Sequence, residues 1–237
     1  MDPATVTLVA AWNITFYDTD GTTPLQNQEM VDIAINSAGE MYGVSWDSTQ
    51  GESGPHFLYV IAYPTDPSFG VAAARKIAEL NYYYNGLTFA PAGMFGPEEV
   101  LVAVDSIAEY SQSFLDILDT ADGSTTFVGG FGSSLKSSGD IVAVDGVGFF
   151  ATVKDTNGTQ FLAQIDPSTA AATTIGTGIG LPNVWGLAYW GGTFYGFNSD
   201  GVLMTIDATT GAGTSRIDYD PLILYGAANS PLAPTSP

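Results

Sequence analysis

The sequence predicts an all-β fold, a five-bladed β-propeller of four-stranded antiparallel blades, and three observations lead to it. Composition comes first: among 237 residues there are 28 Gly, 13 Pro and no Cys, and 18 Asp outnumber 7 Glu. Asp favours turns over helix interiors because its short carboxylate competes for nearby backbone N–H groups. The second observation is a repeated apolar run of five residues that usually closes on Asp. The third is the set of tight-turn dipeptides between short runs, Asp122-Gly123, Asn157-Gly158 and Asp200-Gly201, which supply the positive φ of hairpins.

The repeated run occurs as Asn13–Asp18, Phe57–Ala62, Phe114–Asp119, Phe161–Asp166 and Val202–Asp207. Its starts lie 44, 57, 47 and 41 residues apart, and passing from 202 through the C-terminus back to 13 adds 48. Two short β-branched or aromatic strands precede the run in each unit. They are Ile33–Ile35 with Met41–Ser45, Leu87–Phe89 with Val100–Val104, Ile141–Val144 with Phe149–Val153, and Trp185–Tyr189 with Thr193–Phe197. A Thr-rich strand follows it: Thr125–Val128, Thr173–Ile175 and Thr214–Ile217. Four strands per unit at a period of roughly 40–50 residues is the pattern of a propeller blade.

The chain ends fit a closed ring. Thr5–Ala10 and Asn13–Tyr17 supply a second and third strand without a first, and Leu224–Asn229 resembles the first-strand segment Trp185–Tyr189. The C-terminal strand is therefore expected to complete the N-terminal blade, leaving no open edge between blades. Val71–Leu80 has helix propensity but falls where an outer strand belongs, and is expected as strand. Residues 1–229 form one domain, and 230–237, with three prolines, are expected to run as an extended linker. Such ends suit one domain of a larger chain or a mature secreted protein.

Ile165-Asp166-Pro167-Ser168-Thr169 and Ile206-Asp207-Ala208-Thr209-Thr210-Gly211-Ala212-Gly213-Thr214 carry a resemblance. They look like secreted bacterial β-propeller repeat proteins whose blades read Leu-x-x-Ile-Asp-Pro-x-Thr-Gly-x-x-Thr. The resemblance covers the last 100 residues or so well and the first 130 weakly, since Ala62 replaces the Asp. It implies a propeller and an exported protein, at the cell surface or outside it. It implies no activity, because such blades serve unrelated functions.

Charge excludes some partners. Lys and Arg total 5 against 25 acids, a formal charge of −20. Nucleic acids and anionic membrane surfaces are both held through many basic side chains, which this chain lacks. No apolar run approaches the ~18 residues that span a membrane. Met1-Asp2-Pro3 opens without the basic and apolar regions of a signal peptide.

Catalytic machinery is sparse. His56 is the sole histidine, no Gly-x-Ser-x-Gly elbow occurs, and zinc finds neither Cys nor a second His. Paired carboxylates on inner strands, as in glycosidases, have Asp32, Asp140 and Asp145 as candidates. Asp18-Thr19-Asp20, Asp119 with Asp122, and Asp155 with Asn157 alternate oxygens as Ca²⁺ sites do, although the same strings favour Asx-turns. Trp46, His56, Tyr82, Tyr83, Tyr84, Tyr110 and Tyr219 are expected on loops of one propeller face, where aromatic plates suit a glycan or a protein. Trp185, Trp190 and Phe197 are expected in the core between blades. The resulting expectation is a non-enzymatic extracellular binding or assembly module without a resident cofactor. A calcium-stabilised spacer and a glycosidase-like hydrolase are the alternatives.

Overall fold

A computed structural model describes residues 13–64, 70–105, 111–132, 134–219 and 225–236. The fold is all-β and propeller-like, but it has four blades rather than five. β1 (Asn13–Tyr17) precedes the first blade, which comprises β2 (Gln28–Ile35), β3 (Met41–Asp47), β4 (His56–Ala62) and β5 (Val71–Leu80). Blade 2 holds β6 (Tyr84–Ala90), β7 (Val100–Asp105), β8 (Phe114–Leu118) and β9 (Thr125–Gly130). Blade 3 holds β10 (Lys136–Val144), β11 (Gly148–Lys154), β12 (Gln160–Ile165) and β13 (Ala172–Thr174). Blade 4 holds β14 (Val184–Trp190), β15 (Thr193–Asn198), β16 (Val202–Ile206) and β17 (Gly213–Asp218). Each blade is an antiparallel meander running outward from its first strand.

The missing blade is explained at both ends. The run at Asn13–Asp18 founds no sheet of its own: β1 joins blade 1 as a fifth strand, parallel to β5, with Phe16 opposite Ala74. Phe16 packs edge-on against Tyr59 at 5.2 Å and, with Ile14 and Leu25, covers the outer face of blade 1. Segment 226–229 does not pair as a blade strand either. It lies in the seam between β14 and β2: a Cβ on Gly186 would meet Gly226, and one on Gly226 would meet the Asp32 carboxylate. The expected Thr5–Ala10 strand lies outside the described residues. Counting apolar runs therefore overcounted blades by one, since an edge strand and a blade strand share the same local sequence.

The other strand expectations hold, Val71–Leu80 included. Its first half alternates, with Ala72 and Ala74 buried and their neighbours more open, which is a strand period rather than a helical one. Apolar clusters fill the spaces between consecutive blades. Leu58, Leu87 and Leu101 join blades 1 and 2; Val102, Leu115, Ile141 and Phe149 join blades 2 and 3; Val142, Leu162, Leu187 and Phe194 join blades 3 and 4. Each such side chain contributes about 1.5–3 kcal/mol on burial.

The Asp that closes every run but Phe57–Ala62 begins a turn. Oδ1 of Asp119, Asp166 and Asp207 accepts from the backbone N–H two residues on, at 2.7, 2.8 and 2.9 Å. The residue four positions after each Asp takes a positive φ: Gly123 at 73°, Ala170 at 61° and Gly211 at 68°. Gly is favoured there because a Cβ crowds that conformation, and Ala170 bears the strain. The C-terminal tail, expected to run free, packs back on the ring. Asp145 N–H donates to the Pro231 carbonyl, Gly191 N–H to that of Pro234, and Ala233 is buried with the core of blades 3 and 4. Among the described residues no helix is long and apolar enough to cross a membrane.

Candidate functional site

The inner strands β2, β6, β10 and β14 surround the axis, and each carries a register shift near its start. A bulge turns an extra residue out of the ladder. Val31, Asn85 and Trp185 occupy this place, and in β10 the irregularity takes in Ser138–Asp140; Val31, Asn85, Gly139 and Trp185 each stand just before the axial residue Asp32, Gly86, Asp140 or Gly186. Together they line a funnel of about 290 Å³ at the mouth of the axis. The inner strands approach closely there: a Cβ on Gly139 would collide with the Trp185 backbone, so only glycine permits the contact.

Two stacked aromatic pairs stand in the funnel wall. Trp46 lies on Tyr83 with ring centres 5.5 Å apart and planes 17° apart; Trp185 lies on Tyr225 at 5.2 Å and 15°. Glu29 accepts from Trp46 Nε1 at 3.3 Å and, with Lys154, adds charge of both signs to the lining. Asn85 Oδ1 and Ser138 Oγ are buried without a hydrogen-bond partner among the described residues. Such atoms normally pair, and these two do not, although both residues line the funnel.

One residue further along β2 and β10, Asp32 and Asp140 meet at the axis, 2% and 0% exposed. Asp32 Oδ2 accepts from Leu87 N–H at 2.6 Å. Asp140 Oδ1 accepts from Ile141 N–H at 2.7 Å, and its Oδ2 from Leu187 at 2.8 Å and Ala227 at 3.1 Å. The carboxyls thereby tie blade 1 to blade 2, blade 3 to blade 4, and, through Asp140, the seam segment to blade 3. Burial pushes each well above the ordinary carboxylate range, and for Asp32 the charge of Asp140 adds to it. Asp32 Oδ1 has no hydrogen-bond partner among the described residues, and the neighbouring Asp140 carboxyl is the group whose charge acts on it.

Sequence comparison then places the chain. A repeat family of unknown function, DUF6923, matches residues 46–229. The chain belongs to this family. No curated protein matches the sequence. Among solved structures it is similar to a candidate exo-beta-1,3-galactanase from Bifidobacterium bifidum s17, at 11% identity and TM-score 0.53, covering 81% of this chain and 71% of that one. The nidogen/laminin complex gives 9% identity and TM-score 0.51, with 86% of each chain covered. A Bacteroides caccae protein of unknown function gives 11% identity and TM-score 0.49; the match covers 85% of this chain but only 66% of that one. The first two similarities show the fold alone.

The DUF6923 repeats distribute the expected site residues widely. Trp46 and Tyr83 line the funnel, and His56 stands behind them with its ring 5.2 Å from Tyr83. Tyr82 points instead into a pocket on blade 2, and Tyr84 is buried with its hydroxyl donating to Asp116 at 2.7 Å. Three consecutive tyrosines thus serve three environments. Tyr219 lies beyond β17, its N–H on the Gly201 carbonyl, and Tyr110 lies outside the described residues.

The Asp-rich turns are occupied by their own loops. Asp18 pairs with Lys76 at 2.7 Å, and Asp20 accepts from Thr22 and Thr23. Asp119 holds Ala121, Asp122 holds Ser124, and Asp155 holds the backbone N–H groups of Asn157 and Thr159. Among the described residues no three acidic or histidine side chains gather around a metal position. Of the paired-carboxylate candidates, Asp32 and Asp140 converge, while Asp145 lies exposed in the turn after β10.

Two core assignments need correction. Trp185 lines the funnel, and Trp190 is 47% exposed; the core position of that hairpin belongs to Phe194. Tyr225, Asn85, Ser138, Glu29 and Lys154 had no local signal as site residues. The usable clue was positional, the residue preceding each axial Asp or Gly.

Proposed function

We propose that this propeller is an extracellular, non-catalytic binding module that takes a saccharide into its axial funnel. The observation that carries the reading is the pairing of two stacked aromatic plates with the unpartnered Asn85 Oδ1 and Ser138 Oγ. Sugar rings offer C–H faces to aromatic plates and hydroxyls to polar atoms, and concave, mostly apolar sites with a few fixed polar groups hold small ligands. Non-catalysis is favoured because the axial carboxyls are shut from solvent and engaged with backbone N–H groups. An exported location rests on the resemblance of the blades to secreted propellers.

A glycan array tests this. Wild type is expected to bind a defined set of oligosaccharides, and Trp46→Ala with Tyr83→Ala to lose at least roughly tenfold, the worth of one stacked ring or more. Absence of glycan binding by wild type, or binding unchanged in the double variant, overturns the assignment.

A further inference from the structure

A second pocket, of about 470 Å³, lies on blade 2 away from the axis, lined by Tyr82, Asp105, Phe114, Asp116, Thr125 and Phe127. We infer that it binds an organic ammonium group, held between aromatic walls and two carboxylates. Four features support this independently of the funnel.

The first is the placement of Asp116. It stands third in the run Phe114–Asp119, opposite Ala103. The same place in the other blades is filled by Tyr59, Ala163 and Met204, opposite Gly43, Ala151 and Gly196. All three are fully buried. A carboxylate at a position the fold otherwise gives to packing is costly unless something compensates it.

The second is its partner. Asp105, at the end of β7, is likewise buried, with Oδ1 accepting from Phe114 N–H at 2.7 Å. Burial first, with the Asp116 charge also contributing, pushes Asp105 up to about 6 against the pull of its backbone hydrogen bond and Lys136. Burial also raises Asp116 against the Tyr84 hydroxyl that lowers it. Two buried carboxyls lining one pocket, one of them raised by the charge of the other, are relieved by a cation. Among the described residues that line the pocket none is basic.

The third is the wall. Phe127 is 64% exposed and Tyr82 43%, so neither is held there by core burial. Phe127 leans on Phe114 with ring centres 5.8 Å apart, and Tyr82 meets Tyr84 edge-on at 6.4 Å. The fourth is the match of chemistry. Aromatic faces attract cations through their quadrupoles, most strongly where water is excluded, and tolerate an alkylated nitrogen that a hydrated metal does not resemble. A hard metal ion wants six or more oxygens, and two carboxylates among phenyl rings do not supply them.

Choline and its uncharged isostere 3,3-dimethylbutan-1-ol are the probes, titrated into the whole chain by calorimetry. Choline is expected to bind saturably and at least roughly tenfold more tightly than the alcohol. Phe127→Ala removes an exposed ring, and Asp116→Asn keeps an acceptor for the Tyr84 hydroxyl, so both are expected to melt near wild type. Each is expected to weaken choline roughly tenfold or more, while Trp46→Ala in the funnel leaves it unchanged. Equal affinity for the alcohol, no saturable choline binding, choline displaced by calcium chloride, or affinity unmoved in both variants overturns the inference. A failed glycan array with intact choline binding removes the funnel reading alone.

Discussion

Asp207 and Asp140 do the same chemical job in opposite surroundings. Asp207 sits at an exposed turn, where its Oδ1 accepts from Thr209 and Thr210 at 2.9 and 2.7 Å. Those backbone hydrogen bonds pull its pKa below the usual carboxylate value. Asp140 accepts from three backbone N–H groups, yet burial drives it the other way. Water decides the difference: at the rim it shares the charge, while at the axis the protein must carry it alone. The rim carboxylate fastens a turn within one blade, whereas the axial one fastens blades to each other.

Removing the axial side chain breaks that comparison most severely. Asp140→Ala leaves the Leu187 and Ala227 N–H groups without their acceptor and is expected to cost about 3 kcal/mol or more in urea unfolding. Asp140→Asn is expected to cost less at neutral pH, because its amide oxygen still accepts from Leu187 and Ala227 and its NH2, though it forfeits the Ile141 N–H, can donate to Asp32. Equal losses in the two variants would show that packing, not hydrogen bonding, makes Asp140 matter.

The pH response is the next effect in size. A carboxyl whose folded pKa is raised holds its proton more tightly in the fold than in the unfolded chain. Its contribution is full below the unfolded value near 3.8 and is lost as pH climbs toward the folded value, about 6 for Asp105 and well above 3.8 for the axial pair. The lowered turn carboxylates, Asp18, Asp20, Asp47, Asp122, Asp155, Asp166 and Asp207, work in the opposite sense. Their contribution is present above 3.8 and is lost as pH falls through their folded values. Urea melts across acidic to neutral pH are expected to show stability falling as pH rises from about 4 toward 6 and beyond, and flattening in Asp140→Asn. Stability that rises steadily over that range in wild type contradicts a buried carboxyl pair with raised pKa values.

The smallest effects belong to the rim. Asp207→Ala is expected to lower the urea midpoint only slightly, since water replaces its exposed bonds, and far less than Asp140→Ala. EDTA is expected to leave the thermal midpoint unchanged, because the turn carboxylates already hold their own loops. A clear drop with EDTA would restore calcium to those turns.

Local features were legible where neighbours in sequence are neighbours in space. The turn after each apolar run, the hairpins and even the alternating β5 follow from residues within ten positions of each other. Trp46 and Tyr83 are recognisable as face aromatics by type alone, although Trp46 stands within β3 and not on a loop as expected. Trp185 is not, because a Trp beside a Gly in an inner strand reads as core until Tyr225, 40 residues later, is seen stacked on it. Asp116 was hidden inside an apolar run, and only superposing the four runs exposes it as the exception.

The sequence alone settled the all-β class and the repeating meander, since alternation and turn chemistry are local properties. Blade number, the seam segment, which two of the three candidate inner-strand carboxyls converge, and both pockets were decided only by tertiary structure. The run at Asn13–Asp18 has the same strand-forming pattern and turn-forming Asp as the others, and nothing in it says whether it founds a blade or edges one. That choice depends on which partner strand remains open once the ring has closed, a contact across more than 50 residues that no local pattern encodes.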